Sequence, residues 1–252
     1  MSYRRPISNN LLLLLLLGAI AGACYLALSL GSALLFSPTF QQRLVARAPS
    51  LEPTLADADR LTMVHRVMAH LAEGDPQQLG GLFLSSRDLR HLGEVRLVVA
   101  DLLHLKRVST LTFAVAVFGG LLLCWRELQS KSSWLGELAL ATGWMLITLA
   151  ALTTSVMYFS SDGIATIRDY FFDSHRWLLS ESSLLVRVFS RPIALELVRM
   201  YGAVLISAAT MLLTTGYLMR YLASRPVKPA RDWLPPPPRD LPRSTRHRRS
   251  TR

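Results

Sequence analysis

The chain has 252 residues, is 51% apolar and carries a formal charge of +11. The apolar share barely exceeds the roughly 45–50% of an average soluble domain, so its distribution decides the class. Ten Lys or Arg against two Asp fall between Arg220 and Arg252, leaving only +3 for the rest. A basic tail behind a near-neutral body fits a membrane anchor better than a nucleic-acid groove, and no nucleic-acid partner is expected.

Residues 1–10 include Arg4 and Arg5 and read as a cytoplasmic N-terminus. Residues 11–36 open with seven consecutive leucines and hold no charge. A bilayer core takes about 20 apolar residues as helix, and a signal peptide's apolar region only about 7–15. This run therefore reads as a first span. Ala21-Gly22-Ala23-Cys24 faintly resembles a lipoprotein cleavage box, but the apolar run continues past it. Cys24 and Cys124 both sit in apolar runs and read as small packed hydrophobes, with no disulfide framework or metal spacing. Neither a metal nor a cofactor is expected.

Residues 37–107 form an extracytoplasmic segment. Leu61, Val64, Met68 and Leu71 make one apolar helical stripe, which Gly74-Asp75-Pro76 should end. A second helix should start near Ser85, where an acid, Asp88, follows at capping-box distance. It carries Leu89, Leu92, Val95, Val98 or Val99, and Leu102 or Leu103 on its apolar side, then leads into the second span.

His91 lies on this helix, with Asp88 three residues before it and Glu94 three after, so both carboxylates can reach the imidazole. Arg87 and Arg90 crowd the same turns. A solvated, salt-laced helix face would look the same.

The second span covers residues 108–125 and the third 134–158, joined by a short cytoplasmic link at 126–133. Residues 159–199 return outside. There Ile164, Ile167 or Arg168, Phe171, His175 and Leu178 share a helical face, so His175 lies on an apolar stripe beside aromatic rings. Such a histidine is either packed with one satisfied nitrogen or a desolvated base. The last span covers residues 200–221. Residues 222–252 are rich in Pro and Arg and cannot bury apolar surface, so disorder is expected. His65 and His70 share no face well, His104 looks interfacial, and His247 lies in the tail.

Arg4 and Arg5, Arg126 and Lys131, and the cations after the fourth span fall on one side of an all-α, four-span polytopic protein. By the positive-inside rule that side is the cytoplasm, with both termini there and the two long segments outside. The spans hold almost no ionisable residue, only Glu137 near one end, which counts against transport.

The stretch Leu82-Phe83-Leu84-Ser85-Ser86-Arg87-Asp88-Leu89-Arg90-His91-Leu92-Gly93-Glu94-Val95-Arg96 precedes the second span, and Tyr170-Phe171-Phe172-Asp173-Ser174-His175 precedes the fourth. Together with the span order they resemble a bacterial family of four-span membrane proteins that includes the lipoprotein intramolecular transacylase. That family carries a Phe-Ser…Leu-x-His-x-x-Asp-Val motif and a Phe-Asp…Phe-His motif at these places. Here Glu94 stands where the family has Asp, and residues 180–191 are plainer than its aromatic-rich stretch.

The resemblance implies a location in the bacterial cytoplasmic membrane, with membrane lipid and lipidated proteins as partners. It also implies transfer of an acyl chain from the glycerol of a lipidated cysteine to that cysteine's α-amine. The reaction needs a base for the amine, a donor for the oxyanion and an acid for the leaving glycerol oxygen. His91 and His175 are then the acid–base pair, at the height of the lipid esters, with His175 the favoured base. Glu94, or Asp88, orients His91, and Arg87 or Arg90 faces the oxyanion. A non-enzymatic assembly factor or accessory subunit, gripping a partner with its external helices, is the rival reading.

Overall fold

The computed structural model describes residues 9–47, 56–82, 84–125, 128–159, 183–189 and 191–225. The described residues form helices and no strand. These are α1 (Asn9–Leu35), α2 (Pro38–Arg47), α3 (Asp57–Glu73), a 3-10 turn (Pro76–Leu79), α4 (Ser86–Leu123), α5 (Leu128–Phe159), α6 (Leu184–Val188) and α7 (Arg191–Ser224).

Helices α1, α4, α5 and α7 are long and apolar enough to cross a membrane. Helix α5 packs along α7, and α1 packs against both α4 and α5. Small residues set these contacts. The buried side of α1 is Gly18, Ala19, Ala21, Gly22, Ala23 and Ala27, while Leu12, Leu13 and Leu16 point outward. A Cβ on Gly216 would lie 2.8 Å from the Gly136 carbonyl oxygen and 2.7 Å from Leu140, so α5 and α7 meet backbone to backbone. Trp134 lies flat over Gly120 in the same way, where a Cβ would come within 2.3 Å of its ring.

The large apolar residues Leu111, Val115, Phe118 and Leu122 of α4 are exposed, as on a helix face that meets lipid. At the opposite end of the bundle from α2 and α3, Glu137 pairs with Arg220 at 3.2 Å and Lys131 sits over the Trp125 ring.

A second group of helices caps the bundle. Phe40 and Leu44 of α2 pack on Ile193 of α7, while Val45, Val64 and Val188 join α2, α3 and α6. Val67, Leu79, Leu92 and Leu185 join α3, the 3-10 turn, α4 and α6. Periodicity did not reveal α2. Its Gln41 donates to the Leu35 carbonyl at 2.7 Å, which satisfies a terminal acceptor of α1 and folds the chain back.

Two apolar stripes turn out differently from their spacing. On α3 the buried edge is Arg60, Val64, Val67 and His70, with Leu61, Met68 and Leu71 only partly covered. On α4, Leu89 is 46% exposed, because the face turned to the cap is that of Asp88 and Leu92. Helix α4 is unbroken over 38 residues, about 57 Å, against a hydrocarbon core of about 30 Å. His91 stands fifteen residues, about 22 Å of helix, beyond Lys106 at the edge of the apolar run.

Candidate active site

The first turns of α4 are fixed by a capping box. Ser85 Oγ accepts from the Asp88 backbone N–H at 3.1 Å, and Asp88 Oδ2 accepts from the Ser85 N–H at 3.0 Å. The same Oδ2 also accepts the Ser85 hydroxyl at 2.9 Å. Its other oxygen, Oδ1, accepts the Ser183 hydroxyl at 2.5 Å. Asp88 is 2% exposed. Burial pushes its carboxyl up, but the hydrogen bonds from Ser183 and from the Ser85 backbone and hydroxyl outweigh it. With the neighbouring His91 charge, they hold the group below the ordinary carboxylate range.

His91 sits one turn further along, outside the membrane-crossing part of α4, and half-buried. It lines a cleft of about 280 Å³ with Val67, Met68, Leu71, Val95, Leu185 and Phe189. Burial pulls its imidazole below the usual histidine range. The charges of Glu94 and Asp88 pull the other way without cancelling that effect. The imidazole is therefore biased toward its neutral, proton-accepting form, in an apolar cleft beside two carboxylates.

The structure thus brings together His91, Asp88 and Glu94. The direct partners of Asp88 are Ser85 and Ser183, so it acts on His91 by charge across one turn. Arg87 and Arg90 are exposed and form no ion pair among the described residues. His175 lies outside the described residues, as do the aromatic segment around it and most of the basic tail. Residues that could gather a metal ion as a group of three are absent among the described residues.

Two residues escaped the sequence. Ser183 carries no local signal, because its partner is 95 residues away. Arg60 is 1% exposed in the cap; its one signal was its place four residues before Val64, on the buried edge of α3.

A second opening lies lower on α4. A groove of about 250 Å³ runs between α1, α4 and α7, lined by Ala27, Gly31, Phe36, Leu103, Lys106 and Tyr201 among others. Lys106 Nζ donates to Ser32 Oγ at 3.2 Å, and the Tyr201 hydroxyl to the Ala27 carbonyl at 2.9 Å. His91, Val95, Val99, Leu102 and Lys106 recur at helical spacing on one side of α4, so one stripe joins the cleft to the groove.

No protein-family model matches the sequence, and no curated protein is similar to it in sequence. The fold, however, has a solved counterpart. The chain superposes on the membrane-integral lipoprotein intramolecular transacylase Lit from Bacillus cereus with a TM-score of 0.68. The match covers 86% of this chain and 98% of that one, at 8% sequence identity. Four apolar helices under a helical cap, in the arrangement of a membrane-integral protein, make this chain a multi-pass membrane protein with a Lit-like fold.

Proposed function

We propose that the chain is a membrane acyltransferase that acts on lipidated proteins, moving an acyl chain from the glycerol of a lipidated cysteine to that cysteine's α-amine. The observation that carries this reading is His91: an imidazole of lowered basicity in an apolar cleft, flanked by Glu94 and Asp88, on a Lit-like fold. The cap and the site then face outward from the bacterial cytoplasmic membrane, and Lys131, Arg220 and both termini face the cytoplasm.

The step balances without a cofactor. The neutral amine nitrogen attacks the ester carbonyl, and a histidine takes the amine proton. The tetrahedral oxyanion collapses, the bond from carbonyl carbon to glycerol oxygen breaks, and that oxygen leaves with a proton from a histidine acid. An amide has formed and an ester has been lost. His91 and His175 share the base and acid roles. Ser183, anchored on Asp88, is eight residues from His175 in sequence, which supports a shared site. Glu94 orients His91, and Arg87 or Arg90 meets the oxyanion. An α-amine has a pKa near 7.7–8.0, so a weak base suffices.

The test expresses the chain with a reporter lipoprotein and weighs the reporter's tryptic N-terminal lipopeptide by mass spectrometry. Wild type should yield an N-acylated peptide whose glycerol keeps one chain. His91→Ala and His175→Ala, at matched membrane levels, should leave the diacylglycerol intact. An intact diacylglycerol with wild type overturns the reading, and the likeness to Lit is then one of fold, with a partner-gripping cap as its use.

A further inference from the structure

The groove around Lys106 has a charge that its surroundings do not explain. On α4 the positions three and four residues from Lys106 are Leu102, Leu103, Ser109 and Thr110, none of them acidic. Among the described residues Lys106 forms no ion pair, and its side chain donates to the Ser32 hydroxyl. An ammonium has three donors, so among the described residues two are left without a partner. It is half-buried in a wall that is apolar and aromatic apart from Ser32, and a cation in such a wall is costly without an anion. Arg107, its neighbour, is exposed on another side of the helix.

The height fits one class of ligand. Lys106 marks the edge of the apolar run of α4, where a bilayer places its phosphates and glycerol esters. Below it the groove descends past Gly31, Ala27 and Tyr201 into the apolar layer. A Cβ at Gly31 would be in ordinary contact with the Tyr201 ring at 3.4 Å, so a side chain larger than Ala there would fill the floor.

We propose that this groove is a phospholipid site: a glycerophospholipid of the adjoining leaflet sets its phosphate on Lys106 and one acyl chain against Gly31, Ala27 and Tyr201. A lipidated cysteine carries acyl chains but no phosphate, so the ammonium selects a membrane phospholipid over a lipoprotein. The site lies further along α4 from the His91 cleft, shares no lining residue with it and does not depend on acyl transfer.

The test uses the full chain, delipidated in detergent, with phosphatidylglycerol or diacylglycerol of the same chains added back. Thermal unfolding is read alongside lipid retained by native mass spectrometry. In wild type, phosphatidylglycerol raises the unfolding midpoint and stays bound at one per chain, and diacylglycerol does neither. Lys106→Met and, separately, Gly31→Leu lose both effects, while Arg107→Gln keeps them. Equal stabilisation by diacylglycerol overturns the phosphate contact. Retention unchanged in both Lys106→Met and Gly31→Leu overturns the site, and loss in Arg107→Gln reduces it to general charge attraction.

Discussion

Ser183 donates a hydrogen bond to the Asp88 carboxylate across 95 residues of sequence. Through it, the chain just before α6 is held one turn from His91. Leu185 and Phe189, just beyond Ser183, then form a wall of the His91 cleft. One carboxylate therefore caps α4, joins the two segments that build the cap and biases the imidazole.

Replacing Asp88 by Ala should destabilise the cap. Losing an N-cap partner costs about 1 kcal/mol, and leaving buried donors unpaired about 1–3 kcal/mol. Thermal unfolding in detergent should show a loss of about 2–4 kcal/mol. The pH dependence has a definite sign. The folded carboxyl lies below its ordinary value of 3.8, so between the two values the unfolded chain binds a proton that the folded chain does not. The contribution is full above 3.8 and is lost as pH falls through the folded value. Asp88→Ala has no such increment to lose, and an unchanged acid limb would refute the assignment.

The His91 imidazole should titrate below its ordinary 6.5, read by NMR with His91→Gln identifying the signal. Its folded value is lowered, so its neutral form is favoured above 6.5 and stability declines as pH drops through the folded midpoint. Glu94→Gln removes the larger of the two charges that raise it, and the midpoint should fall further. A rise in that variant would show that Glu94 does not face the ring. If the transferase reading holds, the rate declines on the same acid limb, and His91→Gln costs about 10²–10⁴-fold.

Gly74 ends α3 with φ of 76°, a left-handed conformation that suits glycine. A Cβ there would also overlap the Arg96 guanidinium, 1.8 Å away. Gly74→Ala should cost about 1–2 kcal/mol, mostly from the backbone. Part of that loss should disappear in an Arg96→Ala background, because the overlap is with a flexible side chain. Equal costs in both backgrounds would mean that Arg96 moves aside freely.

Gly216→Leu should push α5 from α7 and lower stability by about 1–3 kcal/mol, as overpacking does. The Glu137–Arg220 pair at the same end should loosen with it. Gly93 is the contrast. No described residue lies within 4 Å of a Cβ there, so Gly93→Ala should raise stability by up to about 1 kcal/mol through helix propensity. Thermal unfolding of the two variants side by side decides, and a loss at Gly93 would show that its surroundings are tighter.

Much of the architecture was legible in advance because a bilayer imposes length and polarity on anything that crosses it. The leucine run, the apolar stretches and the Ser85 cap each announce themselves within a few residues. The site was legible as far as it is local. Asp88, His91 and Glu94 are neighbours by helical spacing alone, so their charge coupling follows from α4.

What the sequence alone determined, then, is the helical class, the four spans and the carboxylates beside His91, because each depends on residues close in the chain. Tertiary structure decided the rest. It buried Leu92 and exposed Leu89, it gave Glu137 its partner in Arg220, and it brought Ser183 to Asp88. It also kept α4 unbroken for 38 residues, so that one helix carries both His91 and the second apolar run. Each of these depends on which helix lies against which, and local periodicity holds no record of a partner a hundred residues away.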